Sequence, residues 1–332
     1  MASPELTWQL PSWPLIDFHA HFPVAGDDIL GEINQTYQER YSQEKLAHLK
    51  AYSLKMNSLW RKAWSFPEPE AVLANAWKET AQRWSGELTK YGIDKIVFVT
   101  GGGNQNLYQI IQVDPERFLG FAHHDPFMPG AAQELQNSVQ QYGFRGYKIL
   151  APTLSGRLDQ PRLIPLWETL EQLKLPVIIH FGVLGWRGGI GYQENISPLA
   201  LHNVAKGYPG IPFVIPHFGC GYPKELLHLA WVCPNIYVDT CGNNEWVRWM
   251  PYKLTLEDLF RRFYETIGPE RIIFGSDSEW FPRGFALRYL QDQLMACYQL
   301  GFPEGEIAQI FGGNASKLLK LDGKGEQVGP SL

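Results

Sequence analysis

Four cysteines in 332 residues, none of them in a Cys-x-x-Cys pair, argue against a zinc ribbon or a thioredoxin-like couple. Cys220, Cys233, Cys241 and Cys297 read as reduced structural thiols. Cationic runs are missing as well: 29 Lys and Arg stand against 34 Asp and Glu, the net charge is -5, and there is no aromatic RNA-binding signature. Nucleic acid is thereby excluded as an expected partner. No apolar run is long enough to span a bilayer, and Met1-Ala2-Ser3-Pro4-Glu5 lacks the basic and apolar regions of a signal peptide, so a soluble cytoplasmic protein without membrane contact is expected. Nor does a Gly-x-Gly-x-x-Gly follow the first strand-like run. Gly101-Gly102-Gly103 comes after the second and reads as a flexible loop, which weakens the case for a doubly wound dinucleotide-binding sheet.

The chemistry that is present starts at Ile16-Asp17-Phe18-His19-Ala20-His21. Alternation along a strand points His19 and His21 the same way, so the two can grip one metal ion. Three later apolar runs end in, or just before, a polar group: 176–180 in His180, 211–217 in His217 and 271–277 in Asp277. Further strand-like runs lie at 94–99, 117–122, 144–149 and 235–239, and amphipathic stretches such as 161–174 and 254–267 carry the period of surface helices.

Eight strands alternating with helices predict an α/β fold, a (β/α)8 TIM barrel whose catalytic groups cluster at the C-terminal ends of its strands. With 45% hydrophobic residues the chain can bury one large core. A single barrel domain over 1–322 is expected, followed by a flexible tail at 323–332. The 22–92 connection after the first strand is too long for an ordinary loop and reads as a mostly helical insertion. Trp60, Trp64, Trp77 and Trp84 would pack it onto the barrel; alternatively it forms a lid whose Arg61 helps to enclose a ligand.

Of the remaining histidines, His123 and His124 are adjacent, so at most one faces the pocket, and a hydrogen-bonded structural role is favoured. His48, His202 and His228 lie in helix-like surroundings and read as surface or packing residues. The glycine-rich stretch after His180 offers Trp186 to cover a planar ring and Arg187 to bind a carboxylate. Arg283, beyond Asp277, is a second candidate anion contact.

The ordered set His19-Ala20-His21, His180, His217 and Asp277, with Phe311-Gly312-Gly313-Asn314-Ala315 near the end, resembles the amidohydrolase superfamily, specifically its amidohydrolase-related branch. That branch holds metal-dependent hydrolases of lactones, amides and esters, together with nonoxidative decarboxylases of small carboxylated compounds. The resemblance implies a distorted TIM barrel in which His19, His21, His180 and Asp277 hold a divalent metal. His217 is then a second-metal ligand or an electrophile and proton donor beside the substrate. In binuclear relatives a lysine on the fourth strand is carbamylated and bridges two metals; Lys148 stands at that point, and an uncarbamylated Lys148 beside one metal is favoured.

Imidazoles with one carboxylate suit zinc best, with manganese or iron also accommodated. Metal-activated water, with Asp277 as general base, makes hydrolysis of an ester, lactone or amide of a small carboxylated molecule the leading expectation. Decarboxylation of a small aromatic or unsaturated carboxylate is the alternative, with Asp277 protonating carbon. The segment after Asp277 departs from the aromatic-proline pattern of carboxymuconate semialdehyde decarboxylases and so ranks hydrolysis first. A non-catalytic ligand-binding barrel is the reading from another class, and a homodimer is a family-level expectation.

Overall fold

Each apolar run becomes a short parallel strand. The computed structural model describes residues 11–25, 42–73, 75–182, 193–242 and 244–321. Strands β1 (Ile16–His21), β2 (Lys95–Thr100) and β3 (Phe118–Gly120) pair in that order. Strands β4 (Tyr147–Leu150), β5 (Val177–His180), β6 (Phe213–Ile215), β7 (Ile236–Asp239) and β8 (Ile272–Ile273) form the rest.

Two seams close the ring. At one, Ala122 bridges Tyr147, with Ala122 N–H donating to Gly146 O at 2.9 Å and Lys148 N–H to Ala122 O at 2.8 Å. At the other, Ala20 bridges Ser278, His21 N–H donates to Ser278 O at 2.8 Å and Asp277 N–H to His19 O at 2.9 Å. The second seam therefore joins the backbone of the first-strand histidines to the turn that carries Asp277. A buried polar chain reinforces it, since the Asp17 carboxyl accepts from Ser276 N–H at 2.9 Å and from Ser276 Oγ at 2.5 Å. Burial pushes the Asp17 carboxyl up to about 7, against the pull of those donors.

Inside the ring, Ile16, Phe18, Val97, Val99, Phe121, Ile178, Val214 and Ile273 pack together with Ala315, Leu318 and Leu319 of the helix Asn314–Leu319. Residues from six strand regions can meet in one cluster only within the barrel, so this end is filled and the opposite, C-terminal end is left for a site. The larger apolar layer lies between strands and helices. In Trp77–Tyr91 it is supplied by Ala81, Trp84 and Leu88 at helical spacing, and the helix stops at Gly92, whose φ of 64° is left-handed. In Leu256–Ile267 the buried residues are Leu259, Phe260, Phe263 and Ile267, and a Thr255–Asp258 capping box satisfies the first turn.

Residues 22–92 contain the helices Gln43–Ala63 and Trp77–Tyr91. The packing role for the tryptophans is seen directly: Trp84 meets Phe98 and Phe281 at ring distances of 5.7 and 5.3 Å, and Trp60 meets Phe66 and Trp280 at 5.4 and 6.0 Å. The expected tail at 323–332 lies outside the described residues. No helix among the described residues is long and apolar enough to cross a membrane.

Candidate metal centre

β1 ends in His19 and His21, with register shifts between Asp17 and Ala20 and between Ala20 and His21. These irregularities re-aim side chains at the rim, as bulges do. The two Nε2 atoms stand 3.3 Å apart. Behind His19, Nδ1 lies 2.6 Å from Asp239 Oδ2, and both side chains are fully buried. Behind His21, Nδ1 lies 2.7 Å from the Thr100 hydroxyl. Since Asp239 accepts from Nδ1–H of His19, the network assigns the lone pair to His19 Nε2. The Thr100 hydroxyl can accept or donate, so His21 can present Nε2 as a donor to Asp277 or as a lone pair toward a cation.

The other expected groups join this pair. Lys148 Nζ, from β4, reaches His19 Nε2 at 3.1 Å. Asp277 Oδ1 lies 3.4 Å from His21 Nε2. His180 and His217 stack edge to face with centroids 5.0 Å apart, and the His217 ring lies 5.7 Å from that of His19. His180 Nε2 is buried and has no hydrogen-bond partner. An orphaned buried imidazole nitrogen beside two facing Nε2 atoms and a carboxylate is an expensive arrangement for the bare chain, and a divalent cation resolves it. His19, Cys241 and Asp277 offer ligand atoms within 4.8 Å of one another, a grouping that shares His19 and Asp277 with the expected ligands, and the imidazoles and carboxylate suit a divalent ion in their chemistry.

Electrostatics point the same way. Burial, with the Lys148 field, holds His19 well below the ordinary imidazole range, and burial lowers His21 to about 3. His180 is also held well below that range, by burial and then by His217 and Lys148. These imidazoles stay neutral, the form that binds metal. Withdrawal from water alone would raise the Asp277 carboxyl; the hydrogen bond from His21 leads the contributions that outweigh it and hold Asp277 well below the carboxylate range.

The turns that present these groups are strained. Asp277 has φ 54°, His217 φ 56°, Phe218 φ 49° and Cys220 φ 45°, all left-handed and none a glycine. Such conformations cost about 1–3 kcal/mol each and collect at functional sites, with Asp the best tolerated of these types. Gly275 has no room for a side chain: a Cβ there would lie 2.6 Å from Asp239 Oδ1 and 2.8 Å from His19 Cβ.

Three residues of the site escaped the sequence reading. Asp239 orients His19, and its carboxyl is pushed up to about 6 by burial. Thr100 backs His21. Cys241, expected to be a plain structural thiol, is free and buried, with Sγ 3.3 Å from His19 Nδ1 and 3.2 Å from His217 Nδ1. A signal for Asp239 and Thr100 was available, since each ends an apolar strand as His180 does. Cys241 follows β7 in a loop, where nothing in the pattern marks it.

The expected substrate contacts fare differently. Trp186 and Arg187 lie outside the described residues. Arg61 pairs with Glu68 at 2.7 Å within its own connection. Arg283 donates through Nη2 to the backbone oxygen of Asp277 at 2.9 Å, so this hydrogen bond points to a backbone carbonyl rather than to a ligand. The triple glycine is tied down: Gly101 and Gly103 N–H donate to His123 Nε2 at 3.3 and 3.0 Å, and Asn106 Nδ2 donates to Gly101 O at 2.6 Å. His123 and His124 are hydrogen-bonded structural residues, as expected, and His48, His202 and His228 are exposed on helices.

A family model described as Amidohydrolase matches residues 16–321. A gamma-resorcylate decarboxylase of Rhodococcus jostii (strain RHA1) is 27% identical over 266 residues, covering 63% of this chain and 72% of that protein. A 2-amino-3-carboxymuconate-6-semialdehyde decarboxylase of Dictyostelium discoideum is 23% identical over 240 residues, 66% of each chain. Among solved structures, a 5-carboxyvanillate decarboxylase from Novosphingobium aromaticivorans DSM 12444, complexed with manganese and a nitrobenzoic acid, superposes with a TM-score of 0.63 at 17% identity, covering 93% of this chain and 96% of that one.

Proposed function

The chain belongs to the amidohydrolase family, and from that premise we propose that it is a metal-dependent nonoxidative decarboxylase of a small aromatic or unsaturated carboxylate. The curated relatives reported above, both decarboxylases, support this reading over the hydrolysis that the ligand set first suggested. The departure after Asp277 from the aromatic-proline pattern carries less weight than a relative of that kind matching two thirds of the chain.

In this reading His19, His21, His180 and Asp277 hold one divalent metal, which when bound supplies a positive centre for the substrate's oxygens. The donor set admits zinc, and the manganese in the Novosphingobium enzyme supports that ion beside it. Lys148, uncarbamylated, has its Nζ 3.1 Å from His19 Nε2; with that lone pair given to a metal, the ammonium would be released to meet the substrate carboxylate. Nδ1–H of His217 donates to Cys241 O at 3.1 Å, so its Nε2 faces the site as an acceptor. Asp277 delivers a proton to the substrate carbon that bears the carboxylate; the carbon–carbon bond then breaks, its electron pair returns to the substrate and carbon dioxide leaves. An anionic substrate beside Asp277 favours the protonated carboxyl by like-charge repulsion, so binding itself promotes loading of the proton.

The observation that carries the reading is the convergence of the unpartnered His180 Nε2 and the facing Nε2 atoms of His19 and His21 beside Asp277, in a chain whose relatives are decarboxylases. The test is carbon dioxide release by metal-loaded protein from hydroxybenzoates and unsaturated carboxylates, run beside lactone, ester and amide panels. We expect release only from carboxylates, reduced about 10²–10⁴-fold in Asp277→Asn with the fold intact. Hydrolysis without carbon dioxide would restore the hydrolase reading; tight binding with no turnover would make the barrel a binding protein.

A further inference from the structure

Arg283 is half-buried, and among the described residues no carboxylate forms a salt bridge with it, although the Asp277 carboxylate attracts it at longer range. Aromatic rings surround it instead. Its Cζ lies 3.6 Å from the Trp280 ring centroid, 5.3 Å from that of Phe66 and 5.9 Å from that of Tyr289. Its Nε is buried without an acceptor. Its Nη2 donates to the carbonyl oxygen of Asp277 at 2.9 Å.

The Asp277 turn is left-handed, and its N–H is already tied to His19 O at 2.9 Å. Arg283 secures the other side of the same residue. The box around Arg283 is assembled in part by the connection after β1. Phe66 belongs to that connection, Trp60 packs against both Phe66 and Trp280, and Glu70 N–H donates to Phe281 O at 2.7 Å. Arg83 adds a cation over the Phe281 ring at 3.9 Å, and Glu87 Oε2 accepts from Phe285 N–H at 3.0 Å. The whole 278–286 segment is thus gripped from residues 60–87.

We propose that Arg283 is a positioning residue for Asp277. The Phe66–Trp280–Tyr289 box aims its guanidinium at the Asp277 carbonyl and so holds the strained turn that presents the carboxylate to the metal cradle. A planar guanidinium suits this task because it can stack on an indole face and donate in its own plane at once, which an ammonium cannot. The connection after β1 then acts on the reaction through this box, although Arg61 and Trp60 need not touch a ligand. The inference rests on Asp277 being both metal ligand and proton carrier.

Arg283→Met, which keeps an apolar stem in the box and removes the donor, tests it by two independent readouts. The first is manganese affinity by calorimetry, which requires no turnover: we expect the Kd to rise about 10–100-fold, the usual effect of losing a group that orients a ligand. The second is the kcat against KM split at saturating metal, with kcat falling about 10²-fold and KM within about twofold of wild type. Phe66→Leu, which loosens the box without touching Asp277, should move both readouts in the same direction by a smaller factor, and it decides the matter if Arg283→Met does not fold. A raised KM with metal affinity and kcat unchanged would make Arg283 a substrate contact and overturn the proposal. Wild-type values in both readouts would reduce it to packing. If the wild-type protein releases carbon dioxide from no carboxylate, the decarboxylase reading falls while the manganese arm still decides the role of Arg283.

Discussion

His19 and His21 leave β1 at one seam of the barrel, and His123 and His124 follow β3 at the other, yet the two pairs do opposite things with their ring nitrogens. At the β3–β4 seam both rings are saturated. His123 Nδ1 donates to Phe121 O at 3.1 Å and its Nε2 accepts from two glycine N–H groups; His124 Nε2 donates to Ala131 O at 3.0 Å and its Nδ1 accepts from Asn104 at 3.1 Å. At the β8–β1 seam Asp239 takes one nitrogen of His19 and Thr100 one of His21, and the remaining two face each other across 3.3 Å. Burial lowers imidazole pKa values at both seams, with His123 at about 4 and His21 at about 3, so a shifted histidine does not by itself distinguish a ligand from a brace. What the second nitrogen meets does: at the β3–β4 seam it meets backbone and amide groups, at the β8–β1 seam another imidazole, the Lys148 ammonium and the Asp277 carboxylate.

The largest effect should come from breaking the first pair. His19→Ala or His21→Ala is expected to abolish stoichiometric manganese or zinc binding, read by metal content after dialysis, and turnover with it. His123→Ala should leave metal content at the wild-type level and cost about 1–3 kcal/mol of stability in denaturant unfolding, because the Gly101 and Gly103 N–H groups lose their acceptor. Metal loss from His123→Ala would erase the distinction between the seams.

A finer cut leaves the ligands in place. Asp239→Asn keeps the shape beside His19 Nδ1 but weakens its orientation, and metal affinity should fall about 10–100-fold by competition with a chelator. Unchanged affinity would remove Asp239 from the site. The smallest expected effect is on pH dependence. The folded-state pKa of His123, about 4, lies below the ordinary 6.5, so its contribution to stability is present above pH 6.5 and is lost as pH falls through about 4. Unfolding of metal-free protein across that window should be less steeply pH-dependent in His123→Gln than in wild type; identical slopes would show that His123 is not held neutral.

The eight strands were legible as apolar runs because burial on both faces of a parallel strand leaves a continuous hydrophobic signature. The strand-end residues His19, His21, His180, His217 and Asp277 were legible for the same reason, since period two and the strand-end rule depend on sequence position alone. Lys148 was equally open to view. Asp239 and Thr100 stood at strand ends too, but they matter through what lies behind a histidine, a relation across strands that no local pattern encodes. Arg283 shows the limit from the other side, because composition marked it as a cation near the site while its direction depends on Phe66, more than two hundred residues earlier in the chain.

By itself, then, the order of residues determined a parallel barrel, the end of it that would carry chemistry and a candidate set of ligands for a divalent metal. Only the tertiary structure decided which histidine nitrogens converge and that His180 keeps one without a partner, that Cys241 stands among them and that Arg283 reaches a backbone carbonyl. The physical reason is that hydrogen-bond saturation and side-chain direction are set by groups distant in sequence and adjacent in space, whereas hydrophobic periodicity is written locally.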